Sequence, residues 1–304
     1  MVRRYTIRPG GGPGTGRVHR CTEARGRNGI WAELYKKFSR ALLVPGRQHG
    51  HHQRLKNLSI DTEEDLEGMK KAGAVVSAAI AAMRNSVSPG VTTGELDAVA
   101  GRVLTSHGAR SAPQLAYDFP GTTCISVNDE AVHGIPGGRA LDEGDLVTLD
   151  VTVELNGYFA DAAVTMGVGQ ISERAQRLIA CAEAAFHRGA RLARAGERLA
   201  NVGGAVEAEV KKHGFTVLRD LCGHGIGRSI HEEPSVVNYY EPRDRTRLTH
   251  GLVFALEPII SAGSWRTTTR ADGWTIASAD GSLTAHFEHT IVVTRGMPLL
   301  LTAA

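Results

Sequence analysis

DVTVELNGYFAD, residues 150–161, opens and closes on an aspartate within a stretch that otherwise spells a β-hairpin. Asn156-Gly157 is a strong hairpin signal, because both residues accept the positive φ of a type I′ turn. With those two at the turn, Leu155 pairs with Tyr158, Glu154 with Phe159, Val153 with Ala160 and Thr152 with Asp161. Side chains alternate along a strand, so Asp150, two residues before Thr152, shares a face with Asp161. The two carboxylates become diagonal neighbours, roughly 7–8 Å apart at the backbone. The flank LVTLDVTV is too apolar for an open, solvated sheet face. Like charges this close on a buried face push one pKa strongly upward, so something positive is expected between them. A divalent cation would serve, and it would need further ligands.

Outward from the hairpin, 304 residues permit one large domain or two small ones with ample core. There is no uninterrupted apolar run of about 18 residues and no basic-apolar-small signal pattern at the start, which predicts a soluble cytoplasmic protein without membrane contact. Cys21, Cys124, Cys181 and Cys222 are widely spaced and form no CxxC, which argues against a disulfide framework or a zinc knuckle. A net charge of +3 conceals an asymmetry: residues 1–56 carry 13 Lys and Arg against Glu23 and Glu33, and the rest carries 22 against 30 acids. The basic part contains RPGGGPGTGR and GRQHGHHQR, with little hydrophobic periodicity beyond IWAELYKKFSRALLV. We read residues 1–56 as a disordered basic extension with room for one short amphipathic helix, and residues 57–304 as an acidic globular body. Two readings of the extension stand. It is a solvated tail or a start placed too far upstream, or else it contacts ribosomal RNA or another polyanion through its clustered cations. His49, His51 and His52 could bind stray metal, and a solvated loop is the simpler reading.

The body alternates helices and strands. Thr62 with Asp65 forms a capping-box start for a long Ala-rich helix ending near Ser86, and Thr92 with Glu95 starts a second, closed by Gly108. The strand TTCISVND, the loop HGIPGG and the hairpin follow. Two more helices are expected over roughly Ser172–Ala193 and Leu199–His213, then strands GLVFALEPII, DGWTIAS and HFEHTIVV. A helix pair followed by strands, twice over, predicts an α+β fold with an internal duplication.

Three later segments offer the missing ligands. GHGIGRSIHEEP sets His224 and His231 among glycines that leave room for a ligand. FALEPII places Glu257 near the end of an apolar strand, and HFEHTIVV places Glu288 inside another. A lone buried Glu costs several kcal/mol unless it is paired or neutralised, so structural pairing to Arg is the competing reading for each. One imidazole and four carboxylates suffice for a dinuclear site, in which a hydroxide held between the metals is nucleophilic near neutral pH. So oxygen-rich a set suits Mn, Fe(II), Co or a catalytic Zn pair better than a structural zinc cage.

CISVNDEAVHGIP, DLVTLDVTVELNGYFAD, CGHGIGRSIHEEP, FALEPII and FEHTIVV, in that order, resemble the bacterial type I methionine aminopeptidases, within the pita-bread metallopeptidases that also include prolidase and aminopeptidase P. The resemblance spans about residues 58–300. It implies an α+β pita-bread fold with a pseudo-two-fold duplication, an antiparallel sheet backed by two helix pairs. It further implies two divalent ions on Asp150, Asp161, His224, Glu257 and Glu288, and removal of initiator methionine from nascent polypeptides whose second residue is small. His133 and His231 would flank the substrate, His231 stabilising charge on the attacked carbonyl and His133 handling the scissile amide or the amine. Glu257 would also accept a proton from the attacking water. Tyr117, Phe119, Cys124, Ile230 and Trp274 would line the methionine pocket, where sulfur and aromatics suit a flexible thioether. Ile230 stands where the family usually carries an aromatic. The enzyme is expected as a monomer that does not bind DNA. A proline-specific peptidase of the same fold and a non-catalytic binding module are the competing readings; the motif flanks disfavour the first and the five surviving ligands the second.

Overall fold

Asn156 and Gly157 both adopt positive φ, 52° and 83°, and close the hairpin as the sequence predicts. In this computed structural model, which describes residues 60–303, strands Leu146–Leu155 and Tyr158–Gly167 pair with Leu155 opposite Tyr158, Thr152 opposite Asp161 and Asp150 opposite Ala163. The basic extension at 1–56 lies outside the described residues. On its other side the first hairpin strand pairs with Cys124–Val127 and, further along, with Arg110–Ser111.

Helix Glu63–Ser86 starts at the expected capping box: Thr62 accepts from the Asp65 amide, and the Thr62 amide donates to the Asp65 carboxylate. Its buried residues Met69, Ala72, Val76, Ala79 and Met83 recur every three or four positions and form one stripe. That stripe shares an apolar cluster with Leu96, Ala100 and Leu104 of helix Thr93–Ser106 and with Leu149, Val151 and Val153 of the hairpin. A second cluster joins helices Glu173–Ala190 and Leu199–Lys212 to Phe254, Leu256 and Ile291. Each helix pair thus covers its own half of the strands, which is the duplication read from the sequence. Helix Glu173–Ala190 stops short of Ala193, because the chain tightens into turns in which the Leu192 and Ala193 amides donate to the Gly189 and Ala190 carbonyls.

Two later stretches that read as single strands are each broken in two. GLVFALEPII becomes Val253–Leu256 and Ile259–Ser261, because Pro258 has no amide to give to a ladder. HFEHTIVV lies across Thr284–His286 and His289–Val292, with Phe287 and Glu288 at the break. The two breaks face each other: Ile259 pairs with His286 and Leu256 with His289, and the Phe287 amide donates to the Pro258 carbonyl. Glu257 and Glu288 therefore sit at one shared discontinuity, where strand direction changes and side chains can converge.

The hairpin meets this discontinuity directly. Val164 bridges to Phe287, the Glu288 amide donates to the Ala163 carbonyl, and the Asp161 amide donates to Thr290 Oγ1. These contacts bring the aspartates of the first half against the glutamates of the second.

Candidate metal centre

Asp161, Glu257 and Glu288 are all buried, at 6 %, 7 % and 2 % exposure, while Asp150 is half-buried beside them. No Lys or Arg ion pair with any of the four is found among the described residues, so the competing reading of structural salt bridges fails. Burial pushes all four carboxyls upward. For Asp150 the charges of Asp161 and Glu288 add to it; for Asp161 and Glu257 the charge of Glu288 does so. Burial holds Glu288 at about 8. Asp161 Oδ1 and Glu288 Oε1 are buried without a hydrogen-bond partner. Four acids crowded together with orphaned oxygens are costly as protein alone and describe a cation site.

His224 explains the glycines around it. It lies on strand Cys222–Gly225, where a Cβ on Gly223 would come within 2.3 Å of the Ala255 carbonyl oxygen and one on Gly225 within 2.2 Å of the Glu233 carbonyl oxygen. Only glycine lets the flanking backbones close in on the histidine. His224 Nδ1 is 2.9 Å from the Gly225 carbonyl oxygen, which fixes the Nδ1–H tautomer and leaves Nε2 free to accept. That Nε2 is 3.9 Å from Asp161 Oδ2 and 3.7 Å from Glu257 Oε1. Such separations are too long for hydrogen bonds. They suit donors about 2.0–2.2 Å from one shared cation, which lie roughly 3–4 Å from each other. Asp161, His224 and Glu288 offer ligand atoms within 4.8 Å of one another, and so do Glu257, His286 and Glu288. Glu288 belongs to both groups, as a carboxylate bridging two ions would. Asp150 joins neither group but sits diagonally across the hairpin from Asp161, opposite Ala163.

The two histidines expected beside the substrate also lie at this centre. His133 adopts φ 58°, a left-handed conformation uncommon outside glycine, though histidine is among the residues that take it more readily. Burial, with the nearby imidazoles of His286 and His224, lowers it to about 4, and burial also lowers His224 to about 4. His231 keeps an exposed edge, but its ring lies 4.0 Å from that of His224. The atoms packed round it strip away water and push its pKa well down, and His224 and His133 add to the effect. Tyr117 Oη lies 2.5 Å from His231 Nδ1.

Of the expected pocket residues, Phe119 and Trp274 meet edge to face with ring centroids 5.2 Å apart. Cys124 pairs with Asp150 across the strands, and burial with the Asp150 charge raises its thiol, keeping it neutral. Ile230 is buried next to His231 in the chain, and the Tyr117 hydroxyl meets His231.

The sequence motifs do not single out His286, which lies 2 % exposed between Glu257 and Glu288. A signal for it exists: residues 286 and 288 stand two apart, the spacing of one strand face. Nor do they single out Asn238, whose Nδ2 donates to the Glu257 carbonyl oxygen at 2.8 Å and fixes the backbone at the strand break.

The sequence profile of metallopeptidase family M24 matches residues 67–295. Methionine aminopeptidase 2 of Bacillus subtilis is 45 % identical over 245 residues, covering 80 % of this chain and 98 % of that protein. The crystal structure of the methionine aminopeptidase from Rickettsia prowazekii superposes with a TM-score of 0.78 at 38 % identity, covering 81 % of this chain and all of that one. The prolidase of Pyrococcus furiosus, with a TM-score of 0.65 at 24 % identity over 81 % of this chain and 65 % of its own, shares the fold.

Proposed function

This chain belongs to metallopeptidase family M24, and on that footing we propose how the residues of its cleft divide the work of a methionine aminopeptidase. The protein is a metal-dependent hydrolase that removes N-terminal methionine. The observation that carries the site assignment is the buried cluster of acids with orphaned oxygens at the meeting of the two halves.

In this reading Asp150, Asp161, His224, Glu257 and Glu288 hold two divalent ions, drawn from Co, Mn, Fe(II) or Zn. The bound ions supply Lewis acidity and lower the pKa of water. His224 is held as a ligand by the Gly225 carbonyl, which occupies its other nitrogen. Glu257 takes the proton of the attacking water as the oxygen closes on the methionyl carbonyl carbon, and that proton is passed to the amide nitrogen as the C–N bond breaks. His231, oriented by the Tyr117 hydroxyl, donates a hydrogen bond to the carbonyl oxygen as negative charge gathers there. His133, aimed by its left-handed backbone, holds the scissile amide. Phe119 and Trp274 form an apolar wall for the methionine side chain, with Cys124 and Ile230 beside it.

No helix among the described residues is long and apolar enough to cross a membrane. We assign the catalytic domain to residues 57–304 and the enzyme to the cytoplasm, acting as a monomer on nascent chains with a small second residue. Residues 1–56, with their excess of Lys and Arg, would contact ribosomal RNA. The test compares Met-Ala-Ser with an Xaa-Pro peptide, using metal-stripped protein and protein restored anaerobically with each cation. Restored protein should cleave Met-Ala-Ser and leave Xaa-Pro intact. Preferential cleavage of Xaa-Pro would replace this reading with the proline-specific one.

A further inference from the structure

His286 has no part in the division of work above, yet its imidazole is the most deeply buried of those at the centre. Neither ring nitrogen has a hydrogen-bond partner. The backbone leaves the ring little freedom to withdraw: the His286 amide donates to Thr165 Oγ1 at 2.8 Å, and its carbonyl oxygen accepts from the same hydroxyl at 3.0 Å. His286 Nε2 stands 3.4 Å from Glu288 Oε2 and 3.8 Å from Glu257 Oε2. The other Glu257 oxygen, Oε1, faces His224 Nε2 at 3.7 Å, so the carboxylate lies between two imidazoles.

We propose that His286 is a sixth ligand of the metal centre, placed by the fold on the cation that Glu257 and Glu288 share. The inference rests on the two-metal reading above. An imidazolium paired with either glutamate would close to about 2.7–2.9 Å, as charge-assisted hydrogen bonds do. Both observed separations are longer and fall in the roughly 3–4 Å range of two donors on one ion. An imidazole buried among carboxylates, with no hydrogen bond at either nitrogen, is the second and independent sign. A second imidazole also changes the chemistry of the set, since nitrogen donors favour Zn, Fe(II) and Co, while oxygen donors favour Mn.

The test uses full-length protein loaded with Co(II), its metal content checked, and examined by proton NMR in H2O and in D2O. Each cobalt-bound imidazole gives one strongly shifted ring N–H signal that is lost on exchange into D2O. Wild-type protein should show two such signals, and His286→Gln should show one. Competition binding should find Zn affinity lowered roughly 10-fold or more in His286→Gln, with Mn affinity changed much less. A hydrogen-bonding role alone leaves the imidazole count at one. If the variant fails to fold, the wild-type count decides by itself. One signal in wild-type protein, unchanged in His286→Gln, overturns the sixth ligand and leaves the metal centre standing. Protein that binds no cobalt overturns both.

Discussion

Replacing Glu288 by Gln separates what the carboxylate costs the fold from what it contributes to metal binding. In metal-free protein, burial holds the Glu288 carboxyl at about 8, against an ordinary value of 4.5. A raised acid pKa means that the folded state holds a proton which the unfolded chain has released. Stability is therefore lost as pH rises from about 4.5 towards 8, and the penalty levels off above that. At pH 7 the difference spans about 2.5 pH units, or roughly 3 kcal/mol; at pH 5 it is about 1 kcal/mol. Gln keeps the shape and carries no charge, so metal-stripped Glu288→Gln should be more stable than metal-stripped wild type. For a domain of this size the gain at pH 7 corresponds to roughly 6–12 °C in Tm. Adding Mn or Co should reverse the order, because only wild-type protein regains its full ligand set and binding to the native state stabilises it. The assay is thermal melting of both proteins at pH 5 and pH 7, with chelator and with metal. A variant less stable than wild type after stripping, or a gap that does not widen from pH 5 to pH 7, would mean that Glu288 is not a buried, unpaired acid in the metal-free fold.

His231→Ala should retain its metal by elemental analysis and lose roughly 10²-fold or more in kcat, the scale for one positioned stabiliser of developing charge; loss of metal instead would make His231 a ligand. Trp274→Ala should remove one apolar wall of the methionine pocket, costing about 1–2 kcal/mol of binding, or roughly 5–30-fold in KM for Met-Ala-Ser, with metal content unchanged. Deleting residues 1–56 should leave hydrolysis of free Met-Ala-Ser nearly unchanged while ribosome co-sedimentation at low salt falls; equal co-sedimentation with and without them would favour a solvated tail.

The hairpin is legible residue by residue because Asn156-Gly157 sets the turn and period-2 alternation sets everything outward from it. The helix starts at Thr62, Thr92 and Ser172 are legible for a similar reason: a capping side chain is a local interaction that needs no tertiary partner. The two strand breaks are not. Pro258 marks one of them, but only the pairing of Ile259 with His286 and Leu256 with His289 shows that the second break must lie opposite. The same limit hides His286, because its burial between two glutamates depends on contacts across those breaks. It also hides the short helix Ala112–Tyr117, capped by Ser111, which brings Tyr117 to His231. Five candidate ligand residues can be read from motifs; which carboxylate is shared between the two ligand groups, and that a further imidazole lies among them, depends on how the two halves meet.

Anomalous diffraction from crystals grown with Mn or Co decides whether two cations sit where the two halves meet. Two peaks are expected, both within about 2.0–2.3 Å of carboxylate oxygens, with Glu288 touching each and His224 on one. A single peak, or peaks away from Asp161, Glu257 and Glu288, would show that these acids do not form a dinuclear centre.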